Sequence, residues 1–107
     1  MHDVGATFAA LADPTRRGVI ERLRTREHRA GELAQAFGLS APAMSRHLRV
    51  LRERGLVEES RADPTDARVR LYKLRREGFD ELQAWLDEVQ AVWSEQLDAF
   101  REHVERR

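Results

Sequence analysis

A helix with both of its ends marked is encoded by residues 40–55, SAPAMSRHLRVLRERG. Ser40 is a favourable N-cap because its hydroxyl can accept a hydrogen bond from a free amide of the first turn. Pro42 suits that turn, where its missing N–H has no helical acceptor to bond. Gly55 suits the left-handed conformation in which many helices end. The stretch therefore predicts a helix whose boundaries are set locally.

The two sides of this predicted helix differ in chemistry. Met44, Leu48 and Leu51 recur at steps of four and three, which is the spacing of a stripe that faces a core. Arg46 and Arg49 fall off that stripe. Arginine donors near the start of a helix suit phosphates and the base edges of a DNA major groove. The sequence therefore predicts that one side packs and that the other meets a polyanion.

Length and composition predict a single small domain. The chain has 107 residues, near the lower end of sizes that bury a self-sufficient core, and oligomerisation would supplement such a core. It has no cysteine, which excludes disulfides and thiolate metal sites. We expect no membrane contact because no run of about 18 apolar residues occurs, and no signal peptide because Asp3 stands where basic residues are needed. The expected location is the cytoplasm.

The charge of the chain is segregated, although the formal net charge is zero. Residues 1–76 hold 16 Lys and Arg against 10 Asp and Glu, a balance of +6. Residues 77–107 hold 3 against 9, a balance of −6. A basic body with an acidic C-terminal helix can present one face to phosphates and keep another away from them.

Two more helices precede the Ser40 helix. Asp13 followed by proline predicts the start of a helix that runs to about Arg24. A further helix is predicted over residues 30–37, and it stops at Gly38. A three- or four-residue turn that contains glycine, between two short helices, is typical of a helix-turn-helix.

After Gly55 the pattern predicts a β-hairpin. Residues 56–62 and 68–74 have the composition of strands, and they flank a turn that begins at Asp63-Pro64. A hairpin that follows a recognition helix is a wing. Alternation along the second strand leaves open whether the side that carries Leu71 or the side that carries Tyr72 packs inward.

The end of the chain predicts a long amphipathic helix over residues 77–104. Its apolar stripe spans roughly 22 residues, or about 33 Å at 1.5 Å per residue, which is longer than so small a core can cover. We expect part of it to meet a second copy, together with a short N-terminal helix, in a two-fold interface. The expected interface residues are Val4, Phe8, Leu11, Leu86, Val89, Trp93, Leu97 and Phe100. The alternative is that Trp85 and Trp93 complete the core of a monomer.

Five short motifs, taken together, resemble the ArsR-type winged helix-turn-helix repressors. In chain order they are Leu11-Ala12-Asp13-Pro14-Thr15-Arg16-Arg17, Glu32-Leu33-Ala34, Ser45-Arg46-His47-Leu48-Arg49-Val50-Leu51, Gly55-Leu56-Val57 and Tyr72-Lys73-Leu74. Each motif alone is weak, but the ordered set covers most of residues 8–76 and is specific.

The resemblance implies a mainly α fold, with a three-helix core and a two-stranded wing in one domain over 1–107. Residues 1–12 and 77–107 would be dimerisation helices, and residues 13–76 the DNA-binding core and wing. The protein would be a homodimer that represses a promoter, commonly its own, at an inverted repeat in double-stranded DNA. The candidate DNA-binding residues are Ser40, Ala41, Pro42, Ala43, Ser45, Arg46, His47, Arg49, Arg61, Arg68 and Arg70.

The chain departs from the metal-sensing members of that family. Their thiolate motif would fall at the start of the third helix, where Arg29, Gly31 and Ala34 cannot bind a soft metal. Another family arrangement needs a His-x-x-Glu on the last helix, but His103 is followed three residues on by Arg106. We therefore expect no metal and no cofactor, and the resemblance is to the metal-independent branch.

Other functions compete with this one. The arginines would also suit a winged-helix protein-interaction module with an acidic partner, and a pocket lined by Trp85 and Trp93 would make a small-molecule-responsive repressor. His47 borders the apolar stripe, so it could serve the core instead of the groove. Arg16 could brace the fold or touch a phosphate. An enzyme is not expected, because the sequence has no Ser/His/Asp set, paired-carboxylate pocket or phosphate-binding glycine loop.

Overall fold

The computed structural model describes residues 3–60, 65–66 and 69–106. Within those ranges the chain is mainly helical, with five helices and a small antiparallel sheet of three strands. The elements are α1 (Val4–Ala12), α2 (Pro14–Leu23), β1 (His28–Arg29), α3 (Ala30–Ala36), α4 (Ala41–Glu53), β2 (Val57–Ser60), β3 (Leu71–Leu74) and α5 (Arg76–Glu105).

Side-chain caps begin α2 and α4 where the sequence predicts them. Asp13 accepts a hydrogen bond from the amide of Arg16 at 3.0 Å, and the Ser40 hydroxyl accepts one from the amide of Ala43 at 3.2 Å. Each bond satisfies an amide that has no acceptor within its own helix, and such a cap contributes about 1 kcal/mol. The start of the predicted recognition helix is therefore fixed by local chemistry.

Two glycines in the left-handed region follow α3 and α4. Gly38 has φ 64° and Gly55 has φ 69°. After each, the chain folds back and a leucine amide bonds to the last turn: Leu39 to the carbonyl of Ala34 at 2.9 Å, and Leu56 to that of Leu51 at 3.0 Å. The short turn between α3 and α4 confirms the predicted helix-turn-helix.

The core lies between the helix-turn-helix and the sheet. The predicted inner stripe of α4 is confirmed, because Met44, Leu48 and Leu51 are at most 1% exposed. They pack with Val19 of α2 and Leu33 of α3. Burial of each such side chain contributes about 1.5–3 kcal/mol. Since α4 is held along its whole inner side, its outer side is presented as a rigid surface.

The sheet has the order β1-β3-β2 and is antiparallel throughout. The hairpin of β2 and β3, called the wing below, confirms the prediction, although residue 56 lies before β2 and residues 69–70 lie before β3. The sequence analysis did not predict β1, because a strand of two residues is too short to show a periodic pattern. In β1, His28 pairs with Tyr72 of β3. Arg61, Ala62 and Arg68, which the sequence placed in the strands, lie outside the described residues.

Tyr72 settles the inner face of β3. It is buried with 8% of its surface exposed, and Leu74 on the same face packs against the core. Leu71 on the other face is only half-buried. The side carrying Tyr72 therefore packs inward, which is one of the two alternatives that the alternation left open.

The first turn of α5 is seated on the end of α4. The amide of Gly78 donates to the carbonyl of Gly55 at 2.8 Å, and the amide of Arg75 donates to that of Leu56 at 2.9 Å. Phe79 and Leu82 of α5 then pack against the core, and the helix runs past α1. The remainder of this 30-residue helix leaves the body, which makes the molecule 71 Å long and at most 27 Å wide. No helix in the described residues is long and apolar enough to cross a membrane.

Candidate DNA-binding surface

The outer side of α4 forms one exposed surface. Pro42, Ser45, Arg46 and Arg49 are all exposed, and their spacing of three or four residues places them on one face of the helix. This face lies opposite the buried stripe described above. The predicted division of α4 into a core side and a solvent side is therefore confirmed, whereas the contact of its solvent side with DNA stays a prediction.

Arg46 and Arg49 form no ion pair with any residue that the structure describes. Within the described ranges, neither guanidinium has a hydrogen bond or an ion pair to a side chain, whereas Arg52 on the same helix lies 3.2 Å from Glu59. The two free cations are less than one turn apart. They can approach polyanion oxygens without first breaking a contact within the protein.

The start of α4 is open to solvent. Ser40, Ala41 and Pro42 are exposed, and Ala43 is half-buried. A helix of 13 residues places a partial positive charge at its first turn, where the remaining amides attract phosphate. Backbone and side chains at this end therefore favour the same kind of ligand as the two arginines.

His47 is half-buried and is held by Arg16. The Nδ1 atom of His47 lies 3.3 Å from the Nη1 atom of Arg16. A guanidinium has only donors, so Nδ1 must accept and the ring proton must be on Nε2. Arg16 also donates from Nε to the carbonyl of Ala10 at 2.7 Å. It therefore braces α1, α2 and α4 together, and it leaves His47 with an Nε2–H donor.

Asp13 completes this brace electrostatically. The backbone amide of Arg16, which donates to its carboxylate, lowers the pKa of Asp13, and the charge of Arg16 lowers it further; partial burial opposes them. The carboxyl group is therefore ionised at neutral pH. An ionised cap at the start of α2 interacts favourably with the positive end of that helix.

The wing contains a cluster that the sequence analysis missed. Glu59 accepts hydrogen bonds from the Tyr72 hydroxyl at 2.9 Å and from Arg52 of α4 at 3.2 Å, and it pairs with Arg70 at 3.4 Å. The adjacent Glu58 instead pairs with Lys73 at 3.5 Å. Only the strand register, which sets Glu59 opposite Tyr72, could have indicated this cluster. Of the three predicted wing arginines, Arg70 is placed here, whereas the other two lie outside the described residues.

Comparison with known proteins assigns the family. A family model described as a helix-turn-helix domain matches residues 11–60. The HTH-type transcriptional regulator Rv2034 of Mycobacterium tuberculosis is 36% identical over 98 residues, which cover 92% of this chain and 85% of that protein. A crystallised ArsR family transcriptional regulator, RHA00566, is 34% identical with a TM-score of 0.73, over 84% of this chain and 94% of that one. The chain belongs to the ArsR family of winged helix-turn-helix regulators.

A shorter match agrees with this assignment. The transcriptional repressor SdpR of Bacillus subtilis is 35% identical over 54 residues, which are 50% of this chain and 60% of that protein. The match to SdpR thus spans less than two thirds of its length. As a member of this family the chain is a transcriptional regulator and not an enzyme.

This ArsR-family chain leaves a long apolar stripe on α5 without cover. Its members are between 37% and 67% exposed in the single chain: Trp85, Leu86, Val89, Val92, Trp93, Leu97, Phe100 and Val104. Phe8 of α1 is 41% exposed and joins the stripe, with its ring edge-on to Trp85 at a centroid distance of 5.3 Å. Trp93, at 61% exposure, does not complete a monomer core. Of the other residues predicted to lie in a dimer interface, Val4 and Leu11 are half-buried.

The described residues of this ArsR-family chain hold no group of three or more His, Asp or Glu that could bind a metal ion together. His28 of β1, just before the third helix, is buried, and its Nδ1 lies 3.0 Å from the carbonyl of Arg26. That contact gives His28 a structural partner two residues earlier in the chain.

Proposed function

We propose that the chain is a dimeric, sequence-specific DNA-binding repressor that acts at an inverted-repeat operator, with its own promoter as the first candidate target. Phosphate contacts would register the protein on the duplex, and side chains at the start of α4 would discriminate the bases of a major groove. The place of action would be the cytoplasm, since the relatives are bacterial and a bacterial chromosome lies there.

The observation that carries this proposal is the state of Arg46 and Arg49. Both are exposed on a helix whose opposite side is locked into the core, and neither is neutralised by a described residue. Guanidinium groups bind the O6 and N7 atoms of guanine or a phosphate through two hydrogen bonds. A rigid helix with a capped, positive N-terminus positions them well for that task.

The exposed stripe of α5 supports the dimer. An apolar surface of this length, continued by Phe8, is rarely left in water by a monomer. A two-fold pair built on it would present α4 twice. Half-sites about one helical turn apart, or roughly 34–36 Å, would then match the two copies. The two-fold symmetry of the pair is the reason to expect an inverted repeat in the operator.

The decisive experiment uses duplexes that the purified wild-type protein selects from a randomised pool. Arg46→Ala and Arg49→Ala are each expected to weaken binding to the selected duplex by about tenfold, because one good base contact is worth about 1–3 kcal/mol. The matched control is Arg24→Ala, which removes an equal charge from the C-cap of α2, where Arg24 pairs with Glu21 at 2.7 Å. Sedimentation measured in parallel should show that each variant keeps the assembly state of the wild type.

Two results would contradict the proposal. Unchanged affinity in both α4 variants, measured at one salt concentration, would remove the groove assignment. Failure of the wild type to enrich any duplex, combined with capture of an acidic protein that these variants no longer bind, would favour the protein-interaction module instead.

A further inference from the structure

Glu59 occupies the junction between α4 and the wing. Its side chain is 25% exposed. One oxygen accepts hydrogen bonds from the Tyr72 hydroxyl and from Arg52, and the other lies 3.4 Å from Arg70. Three side chains, from the end of α4, from β3 and from the residue just before β3, thus converge on one anion.

Arg52 and Arg70 extend the exposed, positively charged face of α4 toward the wing. Arg52 lies one turn beyond Arg49 on the same helix, and Arg70 is the described arginine nearest the tip of β3. Both are largely exposed, at 49% and 64% of their side chains. Each guanidinium contacts Glu59 through one Nη1 atom, so while that contact lasts its other donors can meet a phosphate only from the position that Glu59 sets. Arg46 and Arg49 have no such restraint from a described residue.

We propose that Glu59 is a specificity-determining residue, because it restrains Arg52 and Arg70 so that they bind phosphate only on a duplex that fits α4 and the wing together. This inference rests on the proposed function. Free arginines on long side chains can find phosphates in any register and so raise affinity for every sequence. Arginines restrained at fixed positions add little to a loosely docked, non-cognate complex.

The substitution that tests this is Glu59→Gln, which keeps the shape of the side chain and removes its charge. Binding is measured to the duplex selected by the wild type and to a scrambled duplex of equal composition. We expect affinity for the scrambled duplex to rise at least fivefold and affinity for the selected duplex to change less than twofold. The salt dependence on the scrambled duplex should steepen by about 0.9 in log–log slope for each additional phosphate that the variant neutralises.

The matched control is Glu58→Gln. It makes the same change of charge one residue earlier in β2, where the partner is Lys73 instead of an α4 arginine. Adjacent strand residues point to opposite faces of the hairpin. We expect the ratio of the two affinities to stay at the wild-type value in this variant. Equal effects of Glu58→Gln and Glu59→Gln would reduce the role of Glu59 to net charge and overturn the inference.

A mutant cycle gives a second way to separate the restraint of Arg52 and Arg70 from the net charge of Glu59. In a protein that carries Arg52→Gln and Arg70→Gln, Glu59 has no guanidinium to hold, so Glu59→Gln should leave the affinity ratio unchanged. A persistent loss of discrimination in that background would overturn the inference.

Tyr72 gives a readout that needs no DNA. It is the only tyrosine of the chain, so phenolate absorbance reports it alone. Burial raises the pKa of its hydroxyl, and the bond to Glu59 raises it further. Glu59→Gln should therefore lower the pKa of Tyr72, whereas Glu58→Gln should not. An unchanged titration would show that the contact is absent in solution and would end the inference.

The outcomes distinguish the two proposals. If the wild type selects no sequence from the pool, the repressor function fails, and the inference fails with it. If the wild type selects a sequence, and Glu59→Gln distinguishes the selected from the scrambled duplex as well as the wild type does, the proposed repressor function stands. Only the inference about Glu59 is then lost.

Discussion

Gly78→Ala tests the contact between α5 and α4. A Cβ atom on Gly78 would lie 2.5 Å from the carbonyl oxygen of Arg54 and 2.8 Å from that of Gly55. Both atoms belong to the backbone and cannot rotate away, so α5 must move. The movement would strain the bond from the Gly78 amide to Gly55, now 2.8 Å long.

The expected cost follows from these contacts. Overpacking of this kind costs about 1–3 kcal/mol, and a lost hydrogen bond costs about 1 kcal/mol more. Alanine returns up to about 1 kcal/mol through its better helix propensity. We therefore expect the free energy of unfolding to fall by about 2 kcal/mol, which lowers the melting temperature by roughly 8–16 °C.

Denaturant unfolding followed by circular dichroism measures this change. The control is Gly31→Ala in α3, where an added Cβ meets nothing within 4 Å and φ is not positive. We expect this control to be neutral or to gain up to about 1 kcal/mol. Equal stability of the two variants would refute the reasoning, because it would mean that α5 is not seated against the carbonyls of α4.

Three further predictions concern pH, assembly and salt. The pKa of Asp13 is lowered mainly by the Arg16 amide, and the pKa of Glu32 mainly by its bond to the Arg26 side chain. The stability that these two carboxylates contribute is therefore full above about pH 4.5 and is lost as the pH falls through their pKa values in the folded protein. A denaturant midpoint that did not drop in acid would contradict this prediction. Trp93→Glu should convert the proposed dimer to a monomer in sedimentation at micromolar concentration, whereas Ala91→Glu, about half a turn away around α5, should not. Affinity for the selected duplex should fall by at least tenfold between about 50 and 200 mM salt, as counterion release requires; a flat response in a titration would exclude phosphate contacts.

The parts of the fold that the sequence predicted well are those determined by contacts between residues close together in the chain. The ends of α4 depend on Ser40, Pro42 and Gly55, each of which acts within four residues of its own position. The inner stripe of the helix depends on spacing alone. Such features can be read without knowledge of the rest of the molecule, and the exposed placement of Arg46 and Arg49 follows from them.

The features that sequence analysis missed depend on pairing across the chain. β1 has two residues and exists because His28 meets Tyr72. The convergence on Glu59 needs the register of the wing, which brings residue 59 opposite residue 72. The close approach of Gly78 to the end of α4 joins segments more than 20 residues apart. None of these leaves a periodic signal in the sequence.

The position of Lys73 on β3, where it pairs with Glu58, has a practical consequence for experiments that follow the wing in solution. Lys73 is the only lysine, and the chain has no cysteine. Acylating reagents do not attack guanidinium groups, so apart from the amino terminus they find one target, on β3 and 45% exposed. A single dye would be carried there by the native sequence, and its rotational freedom would report when a duplex or a protein comes to lie against the hairpin.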